Sequence, residues 1–193
     1  MTNFVPLNLK RFALDRTLTN LLEAGLISWK EKENQIGLTT LPGHENDIHL
    51  ASGSLVWDWS RAREIEDKDG NIILDVPKFE TPREEGDFTV LCNQFKNTLF
   101  EDAYNELNRV YHLGRVRLMR SNPKTCLSWH VDHHPRVHYP IKTQDGCFMV
   151  IEDEVKHLTE SQWWFTNTLL KHTAFNGSAE PRIHLVATIL GER

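Results

Sequence analysis

Residues 127–140 read Leu127-Ser-Trp-His-Val-Asp-His-His-Pro-Arg-Val-His-Tyr-Pro140, and two pairs inside this stretch have the period of an extended chain. His130 and Asp132 are two apart, and so are Arg136 and His138. Successive side chains of a strand leave opposite faces, so the members of each pair share one face. An imidazole and a carboxylate on one face can chelate a single ion. A third ligand, His172, follows 40 residues after Asp132 in another β-prone run, where the fold can return it beside the first two. Two imidazoles and one carboxylate on one side of an ion form a facial triad with open positions, which is diagnostic of non-haem Fe(II) oxygenases.

Arg182 lies ten residues beyond His172. A 2-oxoglutarate co-substrate chelates iron through its 1-carboxylate and keto oxygen, so its far carboxylate needs a partner some distance from the metal. A guanidinium on the neighbouring strand is a two-pronged, permanently charged candidate. The competing role for Arg182 is a surface pair with Glu180.

Outward from this centre the chain reads as short strands: Arg115 to Met119, Cys126 to Val131, Gly146 to Ile151, Trp163 to Phe165, Leu169 to Phe175 and Ile183 to Leu190. Turn signals at Asn122-Pro123, Asp145-Gly146 and Asn176-Gly177 separate them. Further upstream, the stripe Leu99, Ala103, Leu107 and Val110 predicts a helix over Thr98 to Tyr111. Phe88 to Leu91 is a strand candidate. Leu9, Phe12, Leu14, Leu18, Leu21 and Leu22 predict a helix over Asn8 to Leu26, with Gly25 as its stop. Residues 36–55 form short β-prone runs broken by Pro42-Gly43 and Gly53. Residues 60–87 are rich in charge, with a turn at Asp67-Lys68-Asp69-Gly70 and prolines at Pro77 and Pro82, and read as a loop or lid. Helices followed by many short strands suggest a sandwich or small barrel with helices packed outside.

The 193 residues fit one domain, with residues 1–87 as a helical and loop region packed on a barrel core over residues 88–190. A hydrophobic share of 39% and a charged share of 25% are those of a globular protein, not of a disordered one. The formal charge of −5 argues against unspecific binding along nucleic acid. The run Arg115, Arg117, Arg120 and Lys124 could suggest a basic patch, but its alternation with Val116 and Leu118 reads as a half-buried strand with one charged face. Cys92, Cys126 and Cys147 are odd in number and widely spaced, and read as reduced thiols. No secretory signal and no run long enough to span a bilayer is present, so a cytoplasmic location is expected.

Taken together, Gly114-Arg-Val-Arg-Leu-Met, the 127–140 stretch, His172-Thr-Ala-Phe-Asn-Gly-Ser and Arg182-Ile-His-Leu-Val resemble the aspartyl/asparaginyl β-hydroxylase family, whose members include peptide and free-proline hydroxylases. The resemblance covers about residues 88 to 190. It implies a mainly β fold, the double-stranded β-helix or jelly-roll, with Fe(II), 2-oxoglutarate and O2 as the reacting set. It matches His130, Asp132 and His172 to the metal ligands and Arg182 to the arginine that pairs with the far carboxylate. Arg136 and His138 match an Arg-x-His element that contacts co-substrate. Some peptide-hydroxylating members lack the carboxylate ligand, so this chain looks like the branch with a complete triad. The substrate so implied is a small molecule or peptide, carrying an unactivated carbon of Asp/Asn or Pro type.

Other readings stay open at this point: a non-catalytic cupin-like module that binds metal or ligand, and a zinc hydrolase using the same three ligands. Among the neighbours, His133 and His134 read as rim residues, and His184 as either a pocket or a core histidine. Asn176 reads as a turn-fixing residue, Trp163 and Trp164 as packing residues, and Trp57, Trp59 and Arg61 as candidates for covering the site.

Overall fold

A computed structural model of the protein describes residues 2–30, 34–58, 61–81 and 83–193. Trp59 and Pro82 lie outside the described residues. The elements run β1 (Phe4–Leu7), α1 (Leu14–Glu23), β2 (Gln35–Gly37), β3 (Thr39–Thr40), β4 (Arg63–Glu66), β5 (Ile72–Asp75) and β6 (Val90–Leu91). They continue with α2 (Leu99–Asn108), β7 (Tyr111–Ser121), β8 (Thr125–Cys126), β9 (Arg136–Lys142), β10 (Cys147–Ile151) and β11 (Glu154–Lys156). The last three are β12 (Trp163–Thr166), β13 (His172–Asn176) and β14 (Arg182–Glu192). A 3-10 turn at Glu85–Asp87 precedes β6.

Two sheets face each other, ordered β1-β12-β9-β14-β7-β2 and β11-β10-β13-β8, with antiparallel pairing throughout. From β7 onward the chain crosses between the sheets, keeping β10 and β11 together as a hairpin. This is the topology of a jelly-roll, the expected double-stranded β-helix.

Period-two alternation sorts the six-stranded sheet into two chemically different faces. Val116, Leu118, Val137, Tyr139, Leu185, Ala187 and Ile189 turn outward into one apolar core with Leu14, Leu18 and Leu21 of α1 and Phe100, Ala103 and Leu107 of α2. Arg117 on β7, Arg136 and His138 on β9, and Arg182, His184 and Val186 on β14 turn into the space between the sheets. The charged face expected of β7 therefore points inside the barrel. Trp163 and Trp164 divide in the same way, the first joining the helix-side core and the second an inter-sheet cluster with Phe4, Met149, Ile151, Leu158 and Ala174.

Both predicted helices form, in shortened versions. The amides of Gly25 and Leu26 return to the carbonyls of Leu22 and Leu21, closing α1 in a Schellman turn that needs the left-handed φ of +68° at Gly25. Residues 8–13 stay out of the helix because tertiary bonds claim their backbone: Tyr139 Oη donates to the Phe12 carbonyl and accepts from the Phe12 amide, and Trp163 Nε1 donates to the Lys10 carbonyl. The Thr98 side chain caps α2 by accepting from the Phe100 amide.

The region before residue 88 is more β-structured than expected. β1 extends the six-stranded sheet beyond β12, and β2 extends it beyond β7. The Asp67 turn joins a β4–β5 hairpin, where a loop was predicted. In the core, the strand Arg136–Lys142 is absent from the run of predicted strands although Arg136 and His138 read as sharing one face; Pro135 precedes it and Pro140 lies within it. The pairing shift between Ile183 and His184, opposite Lys142 and Pro140, lets a proline sit in a central strand.

Candidate active site

His130, Asp132 and His172 come together as the spacing predicts, with one ligand atom from each lying within 4.8 Å of the others. The backbone sets this meeting. The His130 amide donates to the His172 carbonyl at 3.0 Å, and the His172 amide donates back at 2.9 Å. Of the predicted Cys126–Val131 strand only Cys126 pairs regularly, together with Thr125 in β8; beyond it the chain leaves the ladder and returns to β13's start through the isolated bridge at His130.

Both imidazoles are aimed alike. His130 Nδ1 is 2.7 Å from the Ser128 carbonyl, and His172 Nδ1 is 2.9 Å from the Leu170 carbonyl. A carbonyl only accepts, so each Nδ1 carries the proton and each Nε2 presents a lone pair, the tautomer a metal needs. His172 Nε2 lies 3.8 Å from Asp132 Oδ2. His172 is buried, Asp132 half-buried and His130 exposed, so the cluster opens on the His130 side.

Arg136 holds the carboxylate: its Nε donates to Asp132 Oδ2 at 2.9 Å. Its Nη2 donates to Glu85 Oε1 at 3.0 Å, and its Nη1 to Thr188 Oγ1. Glu85 also receives Arg115 Nε and Nη2 at 2.9 and 2.8 Å, and Thr188 Oγ1 at 2.9 Å. Burial would raise the Glu85 carboxyl, but the hydrogen bond and charge of Arg115, with Arg136 and Arg117, outweigh it and hold the group at about 2. Burial likewise opposes Asp132, and the Arg136 hydrogen bond and charge still lower it.

Glu85 is the site residue that sequence reasoning missed. Nothing distinguishes it locally within the acidic run Glu84-Glu85-Gly86-Asp87. The available signal is one of charge balance: inward arginines on β7 and β9 outnumber the local carboxylates and demand an anion from elsewhere. Gly114 admits it, since a Cβ there would lie 2.7 Å from the Glu85 carbonyl oxygen.

Deeper in the barrel, Arg182 and His138 join the triad in one cavity, together with His184 and Arg117. Arg182 Nε is buried without a hydrogen-bond partner, and no ion pair involves Arg182 among the described residues. The alternative partner, Glu180, lies 3.6 Å from Lys142 instead. Arg117 is also buried; its Nη1 donates to Gln35 Oε1 at 2.7 Å and its Nε is unpartnered.

An outer cleft shares His130 and Asp132 with this cavity and adds Leu55, Val56, Arg83, His133 and His134, the last two at the expected rim. Trp57 does not line it. That ring lies under Lys78 Nζ, beside the β4–β5 hairpin. Arg61 is exposed. Arg120 stacks on Trp29, and Lys124 donates to the Gly177 carbonyl, so the four basic residues form no common patch. Asn176 bonds the carbonyls of Ser121 and Glu180 and the amide of Ser178, which suits the turn-fixing role.

The model of the aspartyl/asparaginyl β-hydroxylase family matches residues 79–190. More than half of the sequence lies within the matched segment, and the chain belongs to the aspartyl/asparaginyl β-hydroxylase family. An L-proline cis-4-hydroxylase of Rhizobium meliloti (strain 1021) is 30% identical over 77 residues, which cover 37% of this chain and 28% of that protein. Among solved structures, AviO1 from Streptomyces viridochromogenes Tue57 aligns over 99% of this chain and 91% of its own, with a TM-score of 0.43 and 11% identity. An oxidoreductase of the 2OG-Fe(II) oxygenase family from Burkholderia pseudomallei aligns over 94% and 93%, with a TM-score of 0.41 and 13% identity. No helix among the described residues is long and apolar enough to cross a membrane.

Proposed function

We propose that the protein is an Fe(II)- and 2-oxoglutarate-dependent dioxygenase that hydroxylates an unactivated carbon of an amino acid or amino-acid residue, of Asp/Asn or Pro type, releasing succinate and CO2. The observation that carries this reading is the pairing, in one cavity, of a His/Asp/His set with free Nε2 atoms and a buried guanidinium that lacks an anion. A buried unpaired cation is costly, and a dicarboxylate with one end on the metal would neutralise it. The donor set suits a divalent ion of oxygenase type.

When bound, the ion and co-substrate supply the oxidative decarboxylation that activates O2 and delivers one oxygen atom to carbon. His130, Asp132 and His172 would hold the ion, and Arg182 would fix the far carboxylate. In this geometry Arg136 acts on Asp132, orienting its carboxylate and keeping it ionised. Arg117 faces both cavities and lacks a carboxylate partner among the described residues, which fits a substrate that carries a carboxylate. We take residues 1–193 as one oxygenase unit, since a single apolar core joins α1 and α2 to the barrel.

The test is succinate release in the presence of Fe(II), 2-oxoglutarate and O2 against free amino acids and peptides, L-proline first, with mass detection of one added oxygen. Anaerobic addition of Fe(II) and 2-oxoglutarate is expected to give a weak visible charge-transfer band. A silent binding module or a zinc hydrolase would show neither, and that result would overturn the proposal.

A further inference from the structure

The inward face of β14 carries a second polar group beside Arg182. His184 is 4% exposed, and its Nε2 is buried without a hydrogen-bond partner among the described residues. Its other nitrogen, Nδ1, is 3.4 Å from Nδ1 of His138. The two rings stand nearly perpendicular, at 85°, with centroids 5.6 Å apart. Both rings line the cavity that holds Arg182, and with Arg182 they also line a narrower recess walled by Cys147, Met149 and Leu158. Arg182 Nε and His184 Nε2 are thus two orphaned polar atoms from adjacent inward positions of one strand, facing one chamber. Burial without a partner is unfavourable for each, and one acceptor placed between them would satisfy both.

The protonation of the histidine pair narrows the kind of acceptor. Burial, then the charges of Arg182, His138 and His157, keep His184 from ionising. Burial, then Arg182 and Arg136, push His138 down to about 3 against the opposing pull of Asp132. Each ring is therefore neutral with one N–H. A single proton lies between the facing Nδ1 atoms, so one ring donates and the other accepts, carrying its own proton on Nε2. With an anion against Arg182, a lone pair on His184 Nε2 would repel it, whereas an N–H would bind it.

We propose that His184 is a binding residue for the far carboxylate of the co-substrate, donating Nε2–H to it beside Arg182, in a tautomer that His138 imposes by donating its own Nδ1–H. This rests on the 2-oxoglutarate reading given above. His138 then acts as a positioning residue: its Nε2 is left as a lone pair and does not itself hold the carboxylate.

The experiment compares equilibrium binding of 2-oxoglutarate with that of 2-oxobutyrate, which keeps the keto-acid head and lacks the far carboxylate, in the Zn(II)-loaded full chain. His184→Leu is expected to weaken 2-oxoglutarate binding on the order of ten- to a hundredfold, the effect of losing one hydrogen bond to a charged group, and to leave 2-oxobutyrate unchanged. His184→Gln, whose amide N–H reaches toward the Nε2 position, is expected to stay within about threefold of wild type, while His184→Asn, with its amide nearer the Nδ1 position, does not. Nitrogen-15 spectra of the wild-type complex should show His184 protonated at Nε2 and His138 at Nδ1. Equal 2-oxoglutarate affinity in wild type and His184→Leu, or a complex with His184 protonated at Nδ1, overturns the proposal. A wild-type protein that binds both keto acids equally overturns the co-substrate reading itself, and this one with it. Because the spectra need no variant, a substitution that fails to fold leaves the proposal testable.

Discussion

Replacing Glu85 with Gln keeps the shape of the side chain and removes the one charge that lies between Arg115 and Arg136. The Glu85 side chain is 12% exposed, and its carboxyl is held at about 2 in the fold against 4.5 as the ordinary value. That difference corresponds to roughly 3 kcal/mol of stability at neutral pH. Leaving two buried guanidiniums without their shared anion costs a similar amount, about 3–5 kcal/mol. For a chain of this length the expected fall in Tm is on the order of 6–12 °C. The sign of the pH dependence follows from the lowered value. The contribution is complete above the unfolded carboxyl's range near 4.5 and is lost as pH falls toward 2. Urea unfolding of wild type and Glu85→Gln from pH 7 down to pH 3 measures both effects. Wild type should start more stable, and the gap should close with acid. Asp132, also lowered, should leave some acid sensitivity in the variant. Equal midpoints at pH 7, or a gap that stays constant down to pH 3, would refute the account of Glu85 as the counter-charge.

Three further outcomes are expected. His130→Ala, Asp132→Ala and His172→Ala should each reduce substrate-linked succinate to background and weaken Fe(II) binding measured by anaerobic titration; full turnover by all three removes the triad assignment. Arg182→Ala should raise the 2-oxoglutarate concentration needed for half-maximal rate about a hundredfold, the scale of a lost charged hydrogen-bonded pair, and an unchanged requirement would mean that the far carboxylate is held elsewhere. Gly114→Val should unseat the 85–87 turn, because its Cβ meets backbone rather than a flexible side chain. Faster hydrogen exchange at residues 84–88 would report this, and unchanged exchange would count against a tight fit there.

The parts of the site legible from sequence are those with short-range signatures. His130 and Asp132 declare a shared face through a spacing of two, and Arg136 and His138 repeat it. His172 and Arg182 sit in runs whose alternation is clear. Gly25 marks the end of α1 because a left-handed residue there has few substitutes. Hidden parts depend on contacts distant in sequence. Glu85 reaches Arg136 across 51 residues and Arg115 across 30, and no local pattern separates it from its solvated acidic neighbours. β1 and β2 are short strands placed by the sheet edges they meet, and residues 8–13 lose their helical tendency to hydrogen bonds from Tyr139 and Trp163. β9, absent from the predicted strands, holds a proline that a pairing shift accommodates.

The division of β7, β9 and β14 into an apolar outer face and a polar inner one governs how such a protein can change. Each inward reactive residue has, one position away along the chain, a neighbour that anchors the helices. Inserting or deleting a single residue in these strands would exchange the two sets, exposing reactive groups to oil and greasy ones to the cavity. New specificities are therefore reached by swapping individual side chains in place, or by remodelling residues 54–56 and 83–84 at the outer cleft, where length can vary without turning the barrel inside out.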